Sequence, residues 1–161
     1  MNEDSEAGTA PTNDDDLIED AAEVIRHYLE HQHGFMSFLN VRLEEFEHGR
    51  AVLSIPFDDK LTNPTTPPSM HGGVASTLID TAGGLALRPL LDNPVEGSMA
   101  TINLNVNYLR PATNDLTATA DVVRAGSTVG VSNVTVESET PDGEVMPVAT
   151  GQGAYRLFHD G

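Results

Sequence analysis

From Asp16 onward, Leu17, Ala21, Val24, Ile25, Tyr28 and Leu29 recur at helical spacing, which predicts an amphipathic helix over 16–33 that Gly34 ends. The residues before it, 1–15, show no periodicity and read as a disordered acidic lead. Two strand-like segments follow at 38–49 and 50–57, with a turn at Gly49-Arg50. The stretch 58–70, DDKLTNPTTPPSM, is rich in Pro and Thr and reads as loop. A second helix is predicted over 72–91. After Pro94 the pattern changes to period two, with strands at 98–110, 115–126, 127–139 and 144–158, and turns at Ala125-Gly126 and Pro141-Asp142-Gly143. In 98–110 strict alternation places Met99, Thr101, Asn103, Asn105 and Asn107 on one side and Ala100, Ile102, Leu104, Val106 and Tyr108 on the other. One helix between two early strands and several long later ones predicts an α+β architecture. In it, a long helix rich in Ala and Gly is wrapped by a curved antiparallel sheet, in one domain over 34–159.

The second helix raises a chemical question. Val74, Leu78, Ala82 and Leu85 form one stripe, flanked by Ala75, Ile79 and Ala86, while Thr77, Asp80, Thr81 and Gly84 form a more polar one. A carboxylate in such small, apolar surroundings costs several kcal/mol to bury without partners. Either Asp80 bonds a neighbouring strand or subunit, or its use is chemical. Just upstream, His71-Gly72-Gly73 marks the change from loop to helix. Glycines there let a ligand approach the backbone, and the first N–H groups of a helix have no intrahelical acceptor. These groups suit an anion or an oxyanion; the plainer reading is a glycine turn capped by histidine. Asp80 lies eight residues beyond Gly72, about 12 Å along a helix axis. The two cannot serve one small reacting group within one chain. Two such helices running antiparallel across a two-fold axis bring each Gly72 to the other chain's Asp80, making a dimer part of any mechanism here.

These residues carry a resemblance. HGGVASTLIDTAGG followed by ATINLNVNYLRPA is similar to the hotdog-fold, PaaI-like acyl-CoA thioesterases, over about 35–158. The resemblance implies a hotdog fold, an active homodimer often paired into a homotetramer, and hydrolysis of an acyl-CoA thioester with no metal and no bound cofactor. It assigns Asp80 as the carboxylate acting on water or on the carbonyl, Gly72 as the amide that polarises the thioester, and Thr101 as a hydroxyl that orients water. Asn63 resembles a substrate-contacting loop residue, although PTTPPSM reads as an insertion between it and His71. His71 and Gly73 fall to substrate binding, His71 by ordering the loop rather than as a base.

The totals narrow the field. The chain has 161 residues, with 25 acidic against 8 basic side chains and a net charge of −17. Such a field repels nucleic acid and anionic membrane surfaces, so neither is expected as a partner. High acid content with a single lysine, Lys60, suggests a halophilic protein kept soluble where salt screens self-repulsion. No cysteine is present, which removes thiolate catalysis and zinc–thiolate sites. The acidic N-terminus is unlike a signal peptide and no apolar run reaches membrane-spanning length, so the expected location is cytoplasmic. No G-x-S-x-G elbow and no H-E-x-x-H occurs, and His27, His31 and His33 read as surface histidines at a helix end. With so few bases, Arg110 and Arg124, or Arg88, are the candidates for CoA phosphates. Asn103, Asn105 and Asn107 form a polar row at a solvated face or a sheet-to-sheet subunit contact. The rival readings are a non-catalytic acyl-CoA-binding hotdog module and a hotdog enoyl-CoA hydratase. The hydratase would want an Asp close before His71, where none stands.

Overall fold

The computed structural model describes residues 14–159; the expected lead at 1–13 lies outside them. Helix α1 spans Asp14–His27, so Asp14 and Asp15 form its first turn rather than the end of the lead. The chain continues through a π turn at Tyr28–Gln32 into a short helix α2, Gly34–Phe38. Strands β1 (Arg42–Glu47) and β2 (Arg50–Ile55) form a hairpin through Gly49, whose φ of 73° is accessible to glycine at little cost. The predicted loop contains a 3₁₀ turn and two short strands, β3 (Thr62–Asn63) and β4 (Ser69–Met70), paired with each other. Helix α3 covers Gly72–Leu87, and Pro89 converts its end to a 3₁₀ turn at Arg88–Leu90. Four long strands follow: β5 (Ser98–Tyr108), β6 (Leu116–Ala125), β7 (Val129–Glu139) and β8 (Val145–Phe158).

The six longer strands form one antiparallel sheet in the order β1-β2-β6-β7-β8-β5. Helix α3 packs against all six, so the sheet wraps it as the pattern predicts. Ala75, Leu78, Ile79, Ala82 and Ala86 from the helix meet Ala118, Ala120, Val134 and Ala149 from the sheet, all buried. Small residues on both sides let the layers approach closely. Gly151 and Gly153 on β8 continue this, since a Cβ on Gly151 would stand 2.8 Å from Ile79.

The two edges of the sheet differ. Edge strand β1 is covered by α1, which buries Ile18, Ala21, Ala22 and Ile25. At Leu43 side chains engage both backbone groups of this edge: Arg26 Nε donates to the Leu43 carbonyl at 3.2 Å, and the Leu43 N–H donates to Glu30 at 3.1 Å. Capping an edge this way blocks further strand pairing. The expected apolar stripe is shifted, however. Of the expected positions Ala21, Ile25 and Leu29 are buried, but Leu17, Val24 and Tyr28 are about half exposed, because Ile18 and Ala22 complete the buried face instead. Edge strand β5 is 11 residues long and has no strand on its outer side.

Within the sheet, Tyr155 is the largest fully buried side chain. A Cβ on Gly83 of α3 or on Gly153 of β8 would each lie 2.2 Å from its hydroxyl. Gly153→Ala should therefore displace the ring and destabilise the fold by about 1–3 kcal/mol, read from the shift of a urea-unfolding curve.

Candidate active site

The N-terminus of α3 is fixed from several directions. The Met70 N–H donates to the Ala112 carbonyl and the His71 N–H to the Leu61 carbonyl, both at 2.8 Å. His71 is the N-cap: its Nδ1 accepts from the Gly73 N–H at 2.8 Å, and its carbonyl accepts from the Val74 N–H at 2.9 Å. With Nδ1 an acceptor, the neutral ring carries its proton on Nε2, and the side chain caps the first turn of α3. Gly73 lies so close that a Cβ there would stand 2.9 Å from Nδ1. The Gly72 N–H has no acceptor among the described residues. Tyr108 of β5 lies over Gly72, with a Cβ position 3.0 Å from the ring. Its hydroxyl donates to the Gly72 carbonyl at 3.1 Å and shares a short hydrogen bond with Ser76.

Two helical turns further on, Asp80 is partly exposed rather than sealed in apolar surroundings. Its Oδ1 accepts from Thr101 Oγ1 at 2.6 Å, a short charge-assisted bond. Its backbone carbonyl accepts from the Tyr155 hydroxyl at 2.8 Å. Burial pushes the Tyr155 phenol well above its ordinary range, and the Asp80 carboxylate beside it adds to the effect. Asp80 is thus held through both its side chain and its backbone.

Thr101 reaches Asp80 because β5 carries a bulge. Its register with β8 shifts between Thr101 and Asn103, leaving Ile102 unpaired. Thr101 therefore shares the helix-facing side with Leu104, Val106 and Tyr108, opposite Asn103, Asn105 and Asn107. Strict alternation had put Thr101 with the three asparagines; the extra residue corrects that.

The sequence candidates fall into two groups. Asn63, His71, Gly72 and Arg110 line one groove of about 320 Å³ with Tyr108, and Gly73 stands beside it. Arg110 is anchored there by a short hydrogen bond to the Pro147 carbonyl. Asp80 and Thr101 form the second group along the helix. Arg124 is not brought to either: it pairs across to Val131, on the face of the sheet away from α3. Arg88 spends its guanidinium on the carbonyls of Pro94, Val95 and Gly97, and burial lowers its pKa. Ser76 and Tyr155 were not singled out in the sequence. The run Gly151-x-Gly153-x-Tyr155, two bare positions then a large ring on one strand face, is the signal that could have found Tyr155. Among the described residues no cluster of three or more His, Asp or Glu is placed to hold a metal, and no helix is long and apolar enough to cross a membrane.

Comparison with known proteins places this geometry in context. The family model of the thioesterase superfamily matches residues 68–144. A protein of Halobacterium salinarum named as an inferred esterase is 50% identical over 145 residues, covering 88% of this chain and 95% of that one. The medium/long-chain acyl-CoA thioesterase YigI of Escherichia coli is 29% identical over 140 residues, covering 76% of this chain and 84% of YigI. Among solved structures, a thioesterase family protein from Silicibacter pomeroyi superposes with a TM-score of 0.75 at 26% identity, covering 89% and 99% of the two chains. The E. coli PaaI protein from the phenylacetic acid degradation operon shares the fold, with a TM-score of 0.71 at 22% identity over 88% and 96%.

The Tyr155 contact makes a pH-dependent prediction. A phenol whose pKa is raised by folding adds stability that is complete below about pH 10 and is lost as the unfolded chain ionises above it. The urea midpoint of the native protein should fall more steeply between about pH 9 and 11 than that of Tyr155→Phe. The variant should also lose about 1 kcal/mol at neutral pH, with the hydrogen bond to Asp80.

Proposed function

The chain belongs to the thioesterase superfamily and has its hotdog fold, and on that premise we propose that it hydrolyses acyl-CoA thioesters to the free acid and CoA. The observation that carries this reading is Asp80, a partly exposed carboxylate oriented by Thr101, on a helix whose first N–H, that of Gly72, is unengaged. About 12 Å of helix separates the two, so the working site is shared by two chains. The open edge of β5 supplies the means. Pairing it antiparallel with β5 of a second copy sets the two α3 helices side by side and brings Asp80 of one chain toward Gly72 of the other. The YigI likeness supports an acyl-CoA substrate.

In this arrangement the thioester carbonyl oxygen accepts the partner's Gly72 N–H, which stabilises the oxyanion as it forms. Asp80 acts from the other chain. As general base it takes a proton from the attacking water; as nucleophile it forms an anhydride that water then opens. In either route the C–S bond breaks and CoA leaves as a thiolate. Thr101 occupies Oδ1, so Oδ2 is the oxygen aimed at water or carbonyl. Asn63, His71, Gly73 and Arg110 stand where the pantetheine and phosphates would enter.

The acyl chain has a candidate groove. A cavity of about 710 Å³ lies between Val24, Tyr28 and Leu29 at the α1–π-turn junction and Leu85 and Val95 beyond the end of α3. Leu85 is five residues past Asp80, about 8 Å along the axis, within reach of a medium-length chain. The half-exposed Val24 and Tyr28 find a use there. The acidic composition and the Halobacterium relative support work in molar salt.

The test is thiol release from acyl-CoAs of graded length in molar salt. Asp80→Asn should lower kcat by about 10²- to 10⁴-fold while the fold and assembly persist, and unchanged turnover would remove Asp80 from the mechanism. Absence of turnover on every acyl-CoA, with binding retained, would make the protein a binding module. Val24→Trp should lower kcat/KM for long acyl chains about tenfold relative to short ones; an equal effect on all lengths would place the acyl chain elsewhere.

A further inference from the structure

In the proposed chemistry Gly72 acts through its backbone alone, so no side chain of its own aims the N–H. The direction of that N–H follows from the two peptide planes that meet at the Gly72 Cα, and two successive glycines leave those planes the widest freedom a chain allows. The plane on the His71 side is held by the His71 carbonyl, which accepts from the Val74 N–H at 2.9 Å. The plane on the Gly73 side is held at both ends by side chains. Its N–H, that of Gly73, donates to His71 Nδ1 at 2.8 Å, and its carbonyl, that of Gly72, accepts from the Tyr108 hydroxyl at 3.1 Å.

Tyr108 is 57% exposed, so water is at hand for its hydroxyl. The hydroxyl nevertheless turns back onto the helix and makes two hydrogen bonds there. A phenol has one proton. With that proton on the Gly72 carbonyl, the bond to Ser76 must run the other way, from the serine hydroxyl to the phenol oxygen. Ser76 stands one helical turn beyond Gly72 on the same face, which brings its hydroxyl to a ring already lying over Gly72. The result is a directed chain, Ser76 O–H to Tyr108 O–H to Gly72 C=O, in which each bond polarises the next.

We infer, on the reading of Gly72 as the oxyanion donor, that Ser76 and Tyr108 are a positioning pair that sets the direction of the Gly72 N–H. Neither side chain touches the thioester in this role. The Tyr108 bond falls on the carbonyl of the following peptide, so it acts on the geometry of the Gly72 N–H rather than on its acidity. An oxyanion donor works when it is already aimed at the point where charge develops. Loss of that aim lowers kcat and leaves acyl-CoA binding in place, because the bond it weakens is made in the transition state.

The experiment is thiol release in molar salt, on the best acyl-CoA of the graded series, by wild type, Tyr108→Phe, Ser76→Ala, Ser76→Thr and the double variant Ser76→Ala/Tyr108→Phe, with a urea-unfolding curve for each. Tyr108→Phe should lower kcat about tenfold, less than the roughly 10²- to 10³-fold loss of an oxyanion donor itself, and leave KM within about twofold. Ser76→Ala should lower kcat about threefold, and Ser76→Thr, which keeps the hydroxyl, should recover most of that loss. The double variant should match Tyr108→Phe within about twofold, since members of one chain do not act independently. With an active wild type, a Tyr108→Phe kcat that is unchanged, or that falls only in step with the unfolding midpoint, would overturn the positioning role and leave the thioesterase reading standing. A rise in KM alone would do the same and make Tyr108 a substrate contact. A double variant whose losses multiply would overturn the chain from Ser76. A wild type that releases thiol from no acyl-CoA would overturn both the reading of Gly72 and this pairing.

Discussion

The close seating of α3 on β7 and β8 sets the position of the Asp80 carboxylate. Glycines at 83 on the helix and at 151 and 153 on β8 remove the side chains that would hold the layers apart. Tyr155 then fills the space they leave, and its hydroxyl ends against the Asp80 carbonyl. The Ser132 hydroxyl does similar work one turn on, donating to the Gly83 carbonyl at 2.8 Å from a fully buried position. Helix carbonyls already bonded within the helix accept a second bond from the sheet. The helix is thereby fixed in rotation as well as in depth, which directs Asp80 and Ser76 away from the sheet's core.

Most of the layout was legible in the sequence because period and turn chemistry agree in this chain. The helix at Gly72, the four long strands and the wrapped α+β arrangement all followed from local pattern. The failures were failures of parity. A single extra residue at Ile102 inverts which side of β5 faces the helix, and period-two reading has no means of locating it. The same limit applies to α1. Two adjacent apolar stripes, through Leu17 and through Ile18, satisfy the helical period equally well, and only contact with the backbone of β1 selects the second. Asp80 and the His-Gly-Gly turn were visible as residue types in unusual places. Tyr155 was hidden because a buried aromatic in a strand is ordinary until its hydroxyl has somewhere to go.

The contacts of the candidate site are divided between the helix and the strand that covers it. Thr101 and Tyr108, at either end of the helix-facing side of β5, reach Asp80 and Gly72 respectively. One edge strand therefore touches both groups of the proposed chemistry, and its bulge keeps both contacts on the same side. A strand free of the bulge would satisfy one of the two and turn the other toward solvent.

The unequal edges of the sheet have a consequence for stoichiometry. Strand addition is a polymerising reaction whenever a unit has two reactive ends, since each union leaves a new end exposed. Here α1 covers β1, with Arg26 and Glu30 engaging the carbonyl and N–H of Leu43, whereas β5 is the longer edge strand and has no strand on its outer side. A unit with one reactive end terminates its own growth at the first union. Covering one edge with a helix and engaging Leu43 with two side chains therefore disfavours the open-ended growth that two bare edges would invite.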